Sequence, residues 1–181
     1  MLTQALALFD FSTRQIIACD AQIERQCAAM KPRFASDESS GPLPRVQPGS
    51  KSKNQPSDNA RTYLARLTGV ALVAVTGISA SIAQTILAEV GTDMDKFPTV
   101  KHFCSWLGLA PHNDISGGRV LRSRTLQVVN RATQALRQAA QSVARSDSAF
   151  GAYFRAMRAR LGPQQAIVAT AHKIARVVYH L

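Results

Sequence analysis

The stretch LAPHNDISGGRVLRSR, Leu109–Arg124, decides the fold class. It shows no strand alternation of any length, and neither does the rest of the chain. It therefore reads as a loop between helices, and the protein as all-α. Within it, a serine followed by two glycines is ringed by polar residues and arginines. Taken alone, Ser-Gly-Gly has two readings: an ordinary turn, or a tip that carries a nucleophile.

Helical periodicity runs outward from this loop on both sides. After it, TLQVVNRATQALRQAAQSVARS predicts a helix that buries Leu126, Val129, Ala132, Leu136, Ala139 and Val143. Two further helices follow: SDSAFGAYFRAMRARLG, with Ser146 or Asp147 as cap, and PQQAIVATAHKIARVVYHL, with Pro163 in its first turn. Before the loop, a helix from about Thr99 carries Val100, Phe103, Trp106 and Leu107 and ends at Gly108.

Further upstream, YLARLTGVALVAVTGISASIAQTILAEVG places the small-residue turn Thr76-Gly77-Ile78-Ser79 between two apolar-periodic stretches. Ala83, Ile86, Leu87 and Val90 share a face of the second, which Gly91 can end. The pattern is that of a helix-hairpin-helix-like unit, whose backbone N–H groups at a helix start can meet a phosphate. Gly77 and Ser79 are the candidate contacts, although Ser79 stands where such motifs usually carry a second glycine. A purely structural helical hairpin is the other reading.

Residues 62–181 thus form one helical domain. Residues 31–61 hold five of the eight prolines, several serines and no apolar period, the composition of a flexible linker. Residues 1–30 carry Leu2, Leu6, Phe9, Thr13, Ile16, Asp20, Ile23, Cys27 and Met30 at heptad spacing. Such a helix packs either on a partner helix as a short coiled coil or on its own domain.

The chain has 22 Lys and Arg against 11 Asp and Glu, a net charge of +11. From Arg119 onward there are 11 basic residues and one acidic residue, Asp147. An excess so placed favours a polyanionic partner, nucleic acid before others, because each neutralised phosphate releases counterions. A solvated basic face without a ligand is the bland alternative. Cys19, Cys27 and Cys104 form no CxxC pair and read as reduced thiols. The longest apolar run, around Val70–Val75, falls short of a membrane span, and no signal peptide opens the chain. A cytoplasmic, nucleoid-associated protein without membrane contact is expected.

Six landmarks occur in order: TGI…A…ILAEVG, F…HFCSWLGLAP, ISGG, NRATQALRQAA, GAYFRAMRARLG and AHKIARVVY. Together they resemble the C-terminal domain of the insertion-sequence 110 family of bacterial transposases, which includes insertion sequences 116 and 902. The heptad helix and linker are similar to the region preceding that domain. The resemblance implies a recombinase in two parts, an RNase-H-like domain with four metal-binding acidic residues and a helical domain with a catalytic serine. It implies Ser116 as nucleophile toward a DNA phosphodiester, with a transient protein–DNA link and an element-encoded guide RNA.

Gly117 and Gly118 would admit the DNA backbone, and Arg119, Arg122 and Arg124 would offset phosphate charge, with Arg131 a further DNA contact and His112 within hydrogen-bonding range of the loop. The 11 acidic residues are scattered without strands to present a four-carboxylate cluster. The chain is therefore expected to bind no metal or other cofactor itself, with Mg²⁺ entering only through a missing RNase-H-like domain, and to be a C-terminal transposase piece, either a truncated copy or one product of an interrupted gene. Three roles remain open: a serine transposase or its serine-bearing part, a catalytically inactive nucleic-acid-binding remnant or competitor of intact transposase, and a subunit that forms homo-oligomers or joins intact transposase through residues 1–30. Linker residues Lys51 and Lys53 are left without an assigned role.

Overall fold

The computed structural model describes residues 2–30 and 59–181. The expected linker, with Lys51 and Lys53, lies outside them except for residues 59–61, which are helical. Two compact units are present, Met1–Ala71 and Leu72–Leu181.

In the first unit, α1 (Leu2–Ala29) is a 28-residue helix in which no residue is buried. Asp20, Glu24 and Cys27, one face of its last turns, are half-buried where α2 (Asn59–Thr68) packs. Arg66 of α2 donates to the Ala28 carbonyl at 2.8 Å, satisfying one orphan acceptor at the end of α1. The apolar positions of the heptad stripe are mostly exposed, Leu2, Leu6, Phe9, Ile16 and Ile23 among them.

The second unit is built around α5 (Arg131–Ser142) and α7 (Pro163–His180). Their contacting faces are rich in small residues: Ala132, Ala135, Ala139 and Ala140 on one, Ala166, Ala171 and Ala175 on the other, with Leu136 and Ile174 filling between. Small side chains bring two helix axes close, so dispersion contacts are dense. Around this pair, α3 (Ala80–Val90) packs on α5, while α4 (Val100–Trp106) and α6 (Ala149–Leu161) pack on α7. Phe97, Phe103 and Tyr179 form an aromatic cluster, and the Tyr179 hydroxyl donates to the Phe97 carbonyl at 2.9 Å.

The helix ends follow side-chain chemistry. Ser79 caps α3 by accepting from the Ile82 N–H, and Gly91 ends it as expected. Thr99 caps α4. At α6 the cap is Ser148, which accepts from the Gly151 N–H at 3.1 Å, and not Ser146 or Asp147. The Ser146 hydroxyl is occupied by the Val143 carbonyl and by Ser148.

Three expectations change. The chain is mostly helical but not purely so. Residues 111–125, expected as a loop and its exit, form two antiparallel strands, β1 (Pro111–Ser116) and β2 (Arg119–Thr125). The helix after them starts at Arg131, not near Thr125. Asn130 stops it by accepting from the N–H groups of Ala132 and Thr133, so Leu126 and Val129 are exposed rather than buried. Ahead of the Thr76–Ser79 turn there is no single helix: α2 ends at Thr68, and only the 3-10 turn Leu72–Ala74 intervenes. Leu64, Leu67 and Leu72 are buried nonetheless.

Two buried threonines give opposite expectations. The Thr133 hydroxyl donates to the Leu107 carbonyl at 2.6 Å, whereas the Thr170 hydroxyl is buried with no partner among the described residues. Thr133→Val should destabilise the fold by about 1–3 kcal/mol in urea denaturation, because a buried acceptor loses its donor. Thr170→Val loses no bond and should leave stability unchanged or raised.

His172 carries a pH dependence. Burial, then the positive charges of Arg176 and Lys173, lower its pKa from the ordinary 6.5. The unfolded chain therefore takes up a proton that the folded chain resists, so His172 favours folding above that range and loses its contribution as pH falls through it. The His172→Gln chain should lose less stability than wild type between about pH 7 and about pH 5 in thermal melts.

Candidate nucleic-acid interface

The two strands form a ribbon that stands out from the helices. Every residue in it is exposed except the half-buried Asp114 and Thr125. Gly117 and Gly118 make its two-residue turn with φ of 56° and 75°. Two positive φ values match the right-handed strand twist of a tight hairpin, and glycine adopts them without strain. Space for a Cβ at either glycine is open, with nothing within 4 Å.

The feet of the ribbon are held by packing. Gly108 sits just before it with φ 63°, and a Cβ there would meet Val128 at 2.8 Å and the Leu126 carbonyl at 2.9 Å. The chain leaving β2 thus lies directly against the chain entering β1. Behind both, the Thr133–Leu107 hydrogen bond ties the end of α4 to the start of α5.

The register decides which side chains share a face. His112 pairs with Arg124, Asp114 with Arg122, Ile115 with Val120 and Ser116 with Arg119. Between Asp114 and Ile115 the ladder slips, leaving Leu121 as an extra residue on β2. This is a β-bulge, and it reverses the alternation of β2. Arg119 would otherwise face away from Arg122 and Arg124. With the bulge, all three arginines share the face of His112, Asp114 and Ser116, while Ile115, Val120 and Leu121 fall on the other.

The Ser116 hydroxyl and the guanidinium groups of Arg119, Arg122 and Arg124 have no hydrogen-bond or ion-pair partner among the described residues. Asp114, the ribbon's one carboxylate, lies 3.8 Å from His112 Nε2 and opposite Arg122. The arrangement presents a hydroxyl beside a tight, unobstructed turn with three cations on its own side. Such a face can take a phosphodiester and offset its charge.

The other expected contacts lie elsewhere in the unit. A Cβ at Gly77 would meet Val143 at 2.5 Å and the Ala139 carbonyl at 2.9 Å, so its open side is filled by the protein itself. Ser79 is used as the α3 cap and pairs with Ser81. Gly77 and Ser79 thus belong to the C-terminal end of α5, whereas the ribbon leads into its N-terminal end, about 18 Å away at 1.5 Å per residue. Arg131 is near the ribbon's exit and is 81% exposed, with its Nε donating to Glu89 at 3.2 Å.

Neither Asp114 nor the Leu121 bulge stands out in the sequence. Gly-Gly between short runs is a hairpin signal that could have revealed the strands, but a bulge leaves no such signature.

Among the described residues no three His, Cys, Asp or Glu side chains gather as a metal site would need. Asp114 is the one carboxylate of the ribbon, and no step below is routed through a metal ion. No described helix is long and apolar enough to cross a membrane.

No curated protein and no solved structure matches the chain. A family model does match, that of the Transposase IS116/IS110/IS902 family, over residues 69–155. The matched span runs from the end of α2 into α6 and contains the whole ribbon. Residues 69–155, with Ser116 and its arginines, are thus similar to the Transposase IS116/IS110/IS902 family.

Proposed function

We propose that the chain acts in DNA transposition as a site-specific recombinase, with the ribbon as its DNA-reacting element and Ser116 as nucleophile. The observation that carries this reading is the placement of Ser116 at the open turn, with Arg119, Arg122 and Arg124 on the same face. In the step proposed, the Ser116 oxygen forms a bond to phosphorus of a DNA phosphodiester. The bond from phosphorus to one deoxyribose oxygen breaks, that oxygen leaves with the strand end and takes up a proton from solvent as a hydroxyl, and the serine proton passes to solvent. The arginines offset the charge that builds on the phosphoryl oxygens. Reversal onto another strand end would release the serine and complete strand exchange.

An element-encoded guide RNA fits the same reading, since 11 basic residues against one acidic residue follow the ribbon's turn. Association of copies through residues 1–30 fits it as well, because the apolar positions of α1 are largely exposed.

With element-end DNA, Mg²⁺ and the element's RNA, wild type should give a detergent-stable protein–DNA adduct and Ser116→Ala none, with DNA binding kept. An adduct in Ser116→Ala would remove Ser116 as nucleophile. Intact binding without any adduct would make the chain a binding module. Replacing Arg119, Arg122 and Arg124 with Gln should weaken binding and flatten its salt dependence by about 0.9 in log–log slope for each phosphate no longer neutralised. An unchanged slope would mean that cations elsewhere on the chain hold the phosphates.

A further inference from the structure

The ribbon has a second face that the strand-transfer reading does not use. Ile115, Val120 and Leu121 lie together behind the Gly117–Gly118 turn and are 64%, 55% and 72% exposed. The bulge is what gathers them, since two consecutive residues of β2, Val120 and Leu121, oppose the single Ile115. No described helix covers this face. Three large aliphatic side chains in water at the tip of a two-stranded ribbon are an unfavourable arrangement unless a partner meets them.

The opposite face narrows what that partner is. A body that receives the tip meets unpaired arginines on one side and aliphatic carbon on the other, within the thickness of a single ribbon. A polynucleotide offers both chemistries at that spacing, anionic phosphates beside apolar base planes. A two-stranded ribbon is also of a size to enter a DNA groove, and aliphatic wedges inserted between base steps unstack them at a cost of a few kcal/mol per step.

We infer that Ile115, Val120 and Leu121 form an apolar wedge that enters the DNA base stack and opens it next to the phosphate held by the arginine face. The inference rests on the proposal that the ribbon binds DNA, and adds a means of distorting it. Unstacking frees the backbone locally, which lets a phosphodiester turn toward Ser116. The aliphatic face is thus a positioning device and makes no contact with the reacting atoms.

The test uses the whole chain and short duplexes of mixed sequence with 2-aminopurine placed at successive positions. Wild type should raise the fluorescence of the probe several-fold at one or two positions, while anisotropy reports binding. The variant Ile115→Thr, Val120→Thr, Leu121→Thr keeps β-forming side chains at exposed positions. It should bind with the same salt slope and a melting curve like that of wild type, but leave the fluorescence at the level of free duplex. Binding by wild type without a fluorescence rise, or a rise that survives in the variant, would overturn the wedge. Unchanged unstacking with lost self-association in sedimentation would give the face to a second copy instead. No anisotropy change even for wild type would remove the underlying DNA-binding reading, an outcome distinct from failure of the wedge.

Discussion

The Thr133 hydroxyl, buried and bound to the Leu107 carbonyl at 2.6 Å, holds the end of α4 against the start of α5. Everything distinctive about the molecule is inserted at that junction. Between Leu107 and Thr133 the chain leaves the helical unit, runs out along β1, turns at two glycines and returns along β2. An isolated two-stranded hairpin is marginal in water. This one has rigid feet, because Gly108 lets the outgoing and returning segments touch and Asn130 fixes where the next helix begins. The small-residue contact of α5 with α7 then ties that junction to the core.

A ribbon held in this way can divide chemistry between its two faces. The division comes from one residue of register slip. Arg119 is three residues from Arg122, an odd spacing that regular β-structure would place on opposite sides. The Leu121 bulge restores a single cationic face around Ser116 and simultaneously groups the aliphatic residues behind it. Among the described residues the cations there lack carboxylate partners, whereas Arg131, nearer the core, is paired with Glu89. A polyanion can therefore reach the arginines of the projecting element without displacing an internal carboxylate.

The helices are legible because their apolar faces repeat and their ends are marked. Ala83, Ile86 and Val90, Phe103 and Leu107, and Ala132, Leu136 and Ala139 are buried as their spacing predicts. Gly91 and Pro163 mark helix ends where expected. The ribbon escapes because neither of its faces joins a core, so no apolar–polar alternation is required there; its Gly-Gly turn is visible but fits a loop as well as a hairpin. The start of α5 escapes because Leu126 and Val129 continue the helical spacing, while the Asn130 cap overrules it. For the site, sequence points to Ser116 and its neighbouring glycines and arginines, and the structure brings them to one ribbon. Sequence also points, less strongly, to Gly77 and Ser79, but they lie by the other end of α5, about 18 Å along the helix from where the ribbon leads in.

By itself the sequence determined the helical composition, the basic balance after residue 119 and, through the order of its landmarks, the resemblance to a transposase family that the match over residues 69–155 supports. These are properties of local spacing and residue identity. Only the tertiary structure decided that the serine loop is a ribbon, that Arg119 shares a face with Arg122 and Arg124, and that three aliphatic residues stand uncovered behind them. Those depend on cross-strand register and on what surrounds each side chain. A pairing slip between Asp114 and Ile115 is set by hydrogen bonds between segments and leaves no periodic trace in either strand.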